Sequence, residues 1–171
     1  MLIYHGSYME IITPDINYGR IKSDFGKGFY ATTLKKQAEK WAFRQANRMA
    51  RNKSVIGIKP TVNVYEFNTD NLNILSFDGY TEKWLDFVVK NRSGKFESHQ
   101  YDAVYGNIAD DDVVTVVNDY ARLLRMGRIT QQGKLFYLEQ LQYSEPNNQY
   151  CIATQKAVEN IKFIESYLLE E

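Results

Sequence analysis

The strongest structural signal in the chain is the segment Asp-Phe-Gly-Lys-Gly-Phe-Tyr-Ala-Thr at residues 24–32. The two glycines of this segment lack a Cβ atom, so the backbone can approach a ligand closely there. Phe29 and Tyr30 follow on alternate faces of an extended chain, which directs one ring toward a core and the other toward a cleft. A helical pattern begins immediately afterwards. The segment therefore predicts a turn, a strand over 28–32 and a helix.

The flanking residues extend this pattern in both directions. On the amino-terminal side, Leu2 to Tyr4 predict a buried strand that ends in the polar turn His5-Gly6-Ser7. Residues 8–23 predict a loop with a short turn, because Pro14 disfavours helical geometry at the residue before it. On the carboxyl-terminal side, we expect Thr32 or Thr33 to cap the helix.

The helix after residue 33 has one apolar and one basic face. Its apolar face is predicted to contain Leu34, Ala38, Trp41, Ala42, Ala46 and Met49. Lysines and arginines occupy the other face. We interpret that face as solvated, and an anionic partner is the alternative interpretation.

The rest of the chain predicts an α+β domain. Strands are expected at 62–68, 72–77, 102–107, 149–153 and 162–168, and helices at 81–89, 113–126, 131–143 and 154–160. Because strands lie at both ends and helices concentrate between them, the predicted architecture is one domain over 1–171 with split antiparallel sheets and a helical insertion. Asp110 to Asp112 are interpreted as the acidic start of a helix rather than as a metal site.

Composition narrows the class of protein. Lys and Arg together number 21, as do Asp and Glu, which argues against a dedicated nucleic-acid or membrane binder. The only cysteine, Cys151, excludes an internal disulfide and fits a reducing compartment. No apolar run approaches the length of a membrane span, and the residues Met-Leu-Ile-Tyr-His at the start lack signal-peptide character. We therefore expect a cytoplasmic protein that does not contact a membrane.

An apolar strand ending in His5-Gly6-Ser7, followed by Phe-Gly-Lys-Gly-Phe-Tyr at 25–30, resembles the NAD-binding signature of the diphtheria-toxin and PARP-like ADP-ribosyltransferases, the His-Tyr-Glu class. The segment from Tyr101 to Asp111 is most similar to a bacterial family of uncharacterised PARP-like domains (DUF3990-like). Such domains often occur beside small partner proteins in toxin–antitoxin pairs. The resemblance implies that NAD, as substrate, occupies a cleft between two small sheets.

The resemblance also implies a role for each matching residue. Three positions would correspond to the catalytic residues: His5, Tyr30 and Gln149. The positions that would bind NAD are Gly6 for the carboxamide, Trp41 for the nicotinamide ring, and Ser7, Arg20, Lys27 and Gly28 around them. Arg20 and Lys27 are the candidates for pyrophosphate contacts, because a charged side chain near a glycine-rich turn suits that role. A serine that supports the carboxamide in PARP-like members falls at Ala38, where this contact is missing.

Gln149 stands where the resembled family has glutamate, with Glu145 as the second candidate for that role. An amide can orient a ribose hydroxyl but has no useful basicity, so single ADP-ribose additions are expected. We also expect Gln149→Glu to raise the rate of NAD cleavage.

The function implied is NAD-dependent mono-ADP-ribosyl transfer to a protein or nucleic-acid acceptor, with a small antitoxin protein as a further partner. Two alternatives remain open: hydrolysis of NAD, and a catalytically silent module that binds NAD or ADP-ribose. Taken singly, His5, Tyr30 and Trp41 are also compatible with roles in the core.

Overall fold

The computed structural model describes residues 1–51, 57–93, 100–109, 111–141 and 146–170. The strands in these ranges are β1 (Leu2–Ser7), β2 (Phe29–Ala31), β3 (Thr61–Phe67), β4 (Ile74–Ser76), β5 (Ala103–Gly106), β6 (Gln149–Ile152) and β7 (Ile161–Leu168). The helices are α1 (Lys35–Ala50), α2 (Glu82–Arg92), α3 (Asp111–Arg125), α4 (Gln131–Gln140) and α5 (Gln155–Glu159). The predicted α+β class is confirmed.

The strands form two sheets, with the orders β1-β3-β7 and β2-β6-β5-β4. Within the described residues, one isolated bridge, between Tyr4 of β1 and Thr32, just after β2, connects them. The first sheet is antiparallel throughout. In the second sheet β4 and β5 are parallel, so the prediction of antiparallel sheets is wrong for this pair. The reason is that α2 lies between them in the chain, and a helical crossover returns the next strand in the same direction.

The sheets stack face to face, and helices cover both outer faces. Between the sheets lies a core that includes Ile3, Phe29, Tyr65 and Ile152. The other face of the second sheet packs against α2, α3 and α4, where the largest buried side chain is Trp84. On the first sheet, α1 packs with Ala38 and Ala42 against Val62 of β3. The helical insertion predicted from the sequence therefore forms an outer layer, separate from the inter-sheet core.

The start of α1 differs from the prediction that Thr32 or Thr33 caps it. Leu34 occupies the cap position and provides no side-chain hydrogen bond. Thr32 Oγ1 instead accepts a hydrogen bond from the Leu34 N–H and donates one to Asn148 Oδ1. The hydroxyl is thus used to connect α1 to the start of β6. Thr154, in contrast, caps α5, which corresponds to the helix predicted over 154–160, by accepting from the Ala157 N–H.

The loop over residues 8–23 is confirmed, with one 3-10 turn at Ile16–Tyr18. Buried polar groups of β3 hold it: the Ile11 N–H donates to Asn63 Oδ1 at 2.8 Å, and Tyr65 Oη donates to the Ile11 carbonyl at 2.6 Å.

The predicted helices over 113–126 and 131–143 correspond to α3 and α4. Asp110 and Glu145 lie outside the described residues.

Candidate functional site

β1 and β2 meet at one pair of residues and then separate. Tyr4 and Thr32 exchange two backbone hydrogen bonds, of 2.7 and 2.9 Å. In an antiparallel ladder the next pair of this kind would be Gly6 with Tyr30. Among the described residues there is no bond between these two, and the Tyr30 carbonyl instead lies 2.6 Å from His5 Nδ1. We call the space between Gly6 and Tyr30 the β1–β2 slot.

The backbone of Gly6 faces this slot. Because Tyr4 bonds to Thr32 on the edge away from β3, and backbone groups alternate along a strand, the Gly6 N–H and C=O point to the same edge as those of Tyr4. Gly6 is buried, and within the described residues neither group has a hydrogen-bond partner. Buried backbone groups are rarely unpaired. A donor and an acceptor side by side match the acceptor and donor of a primary carboxamide.

Helix α1 packs on the face of β1 toward which a side chain at residue 6 would point. A Cβ atom at this position would come within 2.1 Å of the Ala38 carbonyl oxygen and 2.6 Å of the Ala42 nitrogen. Both atoms belong to the helix backbone and cannot rotate away. Glycine is therefore required at residue 6 for α1 to pack on β1, and this packing puts Ala38 beside the slot.

His5 is oriented by its contact with Tyr30. The carbonyl can only accept, so Nδ1 carries a proton and donates, which leaves Nε2 of the neutral ring as an acceptor. The ring packs on Phe29 with 4.5 Å between centroids. Burial lowers the pKa of His5, although the hydrogen bond to the Tyr30 carbonyl acts in the opposite direction. A neutral histidine is thus favoured, and its Nε2 has no partner within the described residues.

Ser7 accompanies His5 on the same face of β1, since side chains alternate along a strand. It is only 5% exposed, and its hydroxyl has no hydrogen bond to any other residue that the structure describes. A buried hydroxyl without a protein partner is available to a ligand. His5 and Ser7 together give the site one acceptor and one group that both donates and accepts.

Tyr30 is half-buried and packs partly against the helical layer. Its hydroxyl donates to the Gly26 carbonyl at 2.7 Å and accepts from the Phe25 N–H at 3.0 Å. Burial raises the pKa of this hydroxyl well above its ordinary value, so it stays protonated. The hydroxyl therefore secures the turn around Gly26, whose φ of 87° favours glycine, rather than exchanging protons.

Gln149, the first residue of β6, contacts an acidic partner that sequence reasoning did not identify. Its Nε2 donates to Asp24 Oδ2 at 2.9 Å. Asp24 is buried, accepts from the Ala109 N–H at 2.9 Å and pairs with Arg92, whose Nη2 lies 2.5 Å from Oδ1. The sequence signal available was the position of Asp24 at the start of the 24–32 segment; nothing pointed to Arg92.

Asn148 fixes the position of Gln149 relative to α1. Its side chain bonds to Thr32 and Thr33, and its backbone exchanges two hydrogen bonds, of 2.6 and 3.1 Å, with the Gln37 side chain.

Trp41 follows one helical turn after Gln37 on the same side of α1. Trp41 is 47% exposed. A core role for this ring is therefore excluded.

The remaining candidates lie on the segment that leads into β2. Arg20 and Lys27 are exposed, and Lys27 Nζ lies 3.4 Å from Asn17 Oδ1. A Cβ atom at Gly28 would come within 2.4 Å of the Ile152 carbonyl oxygen. The close approach that Gly28 permits in the structure is thus to β6.

Other kinds of site find little support. Within the described ranges, no group of three or more His, Cys, Asp or Glu residues could hold a metal ion. No helix there has the length and apolar character that crossing a membrane requires. One open depression, near Met1 and Lys162, lies at the opposite end of β1 from the slot.

Comparison with curated proteins and with solved structures finds no match. A protein-family model does match, over residues 1–163, and its description is "Protein of unknown function (DUF3990)". The match covers the slot, the Asp24–Gln149 contact and every candidate residue of the site. The chain therefore belongs to the DUF3990 family.

Proposed function

We propose that this protein is an NAD-dependent mono-ADP-ribosyltransferase that cleaves the nicotinamide–ribose bond and transfers one ADP-ribose to a protein or nucleic-acid acceptor. The observation that carries the proposal is the buried N–H and C=O of Gly6 in the β1–β2 slot, which have no partner among the described residues. Nicotinamide carries a primary carboxamide, which would donate to the Gly6 carbonyl and accept from the Gly6 N–H. Two such hydrogen bonds would satisfy both backbone groups.

The surrounding residues suit the rest of NAD. The exposed ring of Trp41 would stack on the nicotinamide, where a positively charged ring gains about 1–2 kcal/mol from an aromatic face. His5 Nε2 would accept a hydrogen bond from the ribose on the adenine side, with Ser7 beside it. Arg20 and Lys27 would contact the pyrophosphate.

In the reaction, the bond between the ribose C1′ and the nicotinamide nitrogen breaks, and its electron pair neutralises the pyridinium. The acceptor's nucleophilic atom forms the new bond to C1′ and loses its proton. Positive charge develops on the ribose as the first bond breaks. The Gln149 carbonyl oxygen would face that charge. Because an amide cannot deprotonate the hydroxyl of an attached ADP-ribose, we expect single additions and no polymer.

Release of nicotinamide from NAD tests the proposal. The wild type should release it, and His5→Asn should not, because asparagine can still donate to the Tyr30 carbonyl but has no atom at the position of Nε2. Equal release by both proteins would contradict the site. Binding of NAD without any release would identify a silent module, and release as free ADP-ribose with every acceptor tested would identify a glycohydrolase.

Mass spectrometry of the modified acceptor tests the number of units transferred. A shift by one ADP-ribose is expected, and a ladder of units would contradict the role given to Gln149.

We further propose that the activity is exercised in the cytoplasm and restrained by a small antitoxin protein, because unrestrained consumption of NAD would harm the cell. Expression of the wild type alone should slow bacterial growth, and expression of His5→Asn at the same level should not. Equal growth of both cultures would count against the toxin function while leaving the enzymatic proposal to the nicotinamide assay.

A further inference from the structure

We infer that Asp24 is a positioning residue for NAD cleavage: it fixes the Gln149 amide so that the amide oxygen is left for the ribose, and it places a carboxylate one hydrogen bond behind that oxygen. The inference rests on the proposed function. It concerns a residue to which the sequence resemblance gives no role.

The contacts of Gln149 determine which way its amide points. A carboxylate can only accept hydrogen bonds, so the group 2.9 Å from Asp24 Oδ2 must be the NH2 of Gln149. A second acceptor, the Asn107 carbonyl, lies on the same side at 3.5 Å. With both acceptors next to Nε2, the opposite orientation of the amide is excluded. Oε1 therefore points away from Asp24, and it has no partner within the described residues.

Asp24 is itself held rigidly. Arg92, the last residue of α2, binds Oδ1 through Nε at 2.7 Å and Nη2 at 2.5 Å, and Ala109 N–H binds Oδ2. Arg92 Nη2 also donates to the Ala109 carbonyl at 3.0 Å. The carboxylate thus joins α2, the segment after β5, and β6 at one buried point. Such a fully bonded group keeps the orientation of its neighbour fixed.

This arrangement explains how glutamine can occupy the position of a glutamate. A hydrogen bond from the amide NH2 to a carboxylate polarises the amide and increases the negative charge on its oxygen. The ribose would therefore meet a fixed, electron-rich oxygen. The full charge remains on Asp24, where Arg92 compensates it.

The arrangement also reverses the expectation that Gln149→Glu raises the rate. The new carboxylate would lie about 3 Å from Asp24 Oδ2, and two carboxylates at that distance cannot both ionise. The introduced glutamate would take up a proton or rotate out of the site. We therefore expect Gln149→Glu to slow nicotinamide release.

A charge-exchange experiment tests the inference with four proteins: wild type, Asp24→Asn, Gln149→Glu and the double variant. Each single change leaves a mismatched pair, either two amides or two carboxylates. We expect each to lower kcat for nicotinamide release by about a hundredfold, with a smaller effect on KM. The double variant pairs an amide donor at 24 with a carboxylate at 149, so kcat should recover at least about tenfold over the worse single variant.

The same four proteins are melted without NAD, so that the pairing is measured independently of catalysis. Both single variants should melt below the wild type, and the double variant should lose less than the sum of the two losses. Asp119→Asn is the matched control, because Asp119 also pairs with an arginine and accepts a side-chain hydrogen bond, from Tyr137, but lies on α3 and is 45% exposed. It should not change kcat.

The outcomes separate the two proposals. Absence of nicotinamide release from the wild type would contradict the proposed function and with it the catalytic part of this inference. The melting temperatures of the four proteins would still test the contact between Asp24 and Gln149. Release by the wild type with no recovery of kcat in the double variant would overturn the inference alone. Additive losses in the melting temperature would show that the two side chains are not coupled.

Discussion

Tyr4 and Gly6 of β1 both direct their backbone N–H and C=O toward β2, but within the described residues only Tyr4 is paired with that side. Tyr4 exchanges two hydrogen bonds with Thr32, so its backbone is used to connect the sheets. Gly6, two residues later, has the same orientation and is buried, but the Tyr30 carbonyl opposite it is taken by His5. The same edge of β1 thus pairs with the chain at Thr32 through Tyr4, while within the described residues Gly6 has no partner on that edge.

The difference supports the proposal that a ligand binds at Gly6 and not at Tyr4. An unpaired buried amide costs about 1–3 kcal/mol relative to a bonded one, so leaving Gly6 unsatisfied destabilises the protein. Pairing of Gly6 with Tyr30 would remove that cost but close the slot. The side chain of His5 prevents the pairing by occupying the Tyr30 carbonyl. Substitutions at the closed and open positions should therefore differ in their effects on stability and on NAD binding.

Gly6→Ala should have the largest effect. The methyl group would overlap the backbone of α1 at Ala38 and Ala42, so the helix must move away from β1. We expect a loss of about 3 kcal/mol in the free energy of unfolding, together with loss of NAD binding. Urea denaturation measures the first and calorimetry the second.

Gly79→Ala is the control for Gly6→Ala. Gly79 has a φ of 79°, and no atom of the described residues lies within 4 Å of its Cβ position, so only backbone strain of about 1 kcal/mol is expected. Equal losses in the free energy of unfolding for Gly6→Ala and Gly79→Ala would show that the packing of α1 on β1 does not require glycine at residue 6.

His5→Ala should lower nicotinamide release by about a hundredfold or more, because it removes the Nε2 acceptor and frees the Tyr30 carbonyl. His5→Asn should be as inactive but more stable, since its amide can still donate to that carbonyl. Thermal melts of the two variants separate the effect on the slot from the effect on substrate. If His5→Asn retained full activity, the role of Nε2 would be refuted.

The lowered pKa of His5 predicts a loss of stability in acid. The folded protein favours the neutral ring, so the unfolded chain takes up a proton at higher pH than the folded one does. Stability should therefore be constant above about pH 7.5 and fall as the pH drops through 6.5, the ordinary value, toward the lower folded pKa. The melting temperature of wild type should decrease more steeply across this window than that of His5→Asn. Equal decreases in the melting temperatures of wild type and His5→Asn would show that His5 is not the group responsible for the loss of stability in acid.

Trp41→Ala should weaken NAD binding about tenfold and leave the melting temperature nearly unchanged, because the ring is largely exposed. Trp41→Phe should keep most of the affinity. Trp84→Phe is the control: Trp84 is fully buried, so this change should lower the melting temperature without abolishing the quenching of Trp41 fluorescence by NAD. A large drop in the melting temperature of Trp41→Ala would contradict the exposed position.

Replacing both Arg20 and Lys27 with alanine should have the smallest effect. Exposed cations contribute about 0.2–1 kcal/mol each, so NAD affinity should fall by roughly two- to thirtyfold, and the difference should shrink at high salt. Affinity for free nicotinamide should not change, because nicotinamide has no pyrophosphate. Equal weakening for both ligands would place these cations elsewhere.

Much of the fold was predictable because it depends on local patterns. The alternation around Phe29 and the helical spacing after Leu34 correspond to β2 and α1. The cap at Thr154 follows the ordinary preference of threonine. The parallel pairing of β4 with β5 was missed, although the predicted strand–helix–strand order around α2 is typical of a parallel crossover.

The candidate site was only partly accessible from the sequence. His5, Gly6 and Tyr30 belong to short contiguous motifs. Asp24 and Gln149, however, are 125 residues apart, and the contact between them arises from the folding of β6 against the 24–32 segment. A hydrogen bond of this kind leaves no periodic signal in a single sequence, so the partner of Gln149 required the structure.

Binding of the nicotinamide carboxamide by the Gly6 backbone can be observed at the Gly6 amide itself, by nuclear magnetic resonance. NAD and nicotinic acid adenine dinucleotide differ only in carrying a carboxamide or a carboxylate on the pyridine ring, and a carboxylate has no N–H to donate to the Gly6 carbonyl. We expect NAD to shift the Gly6 N–H resonance downfield, and the acid analogue to bind more weakly and shift it less. A Gly6 resonance that stays unchanged at saturating NAD, or that responds equally to both dinucleotides, would show that the carboxamide does not bind there.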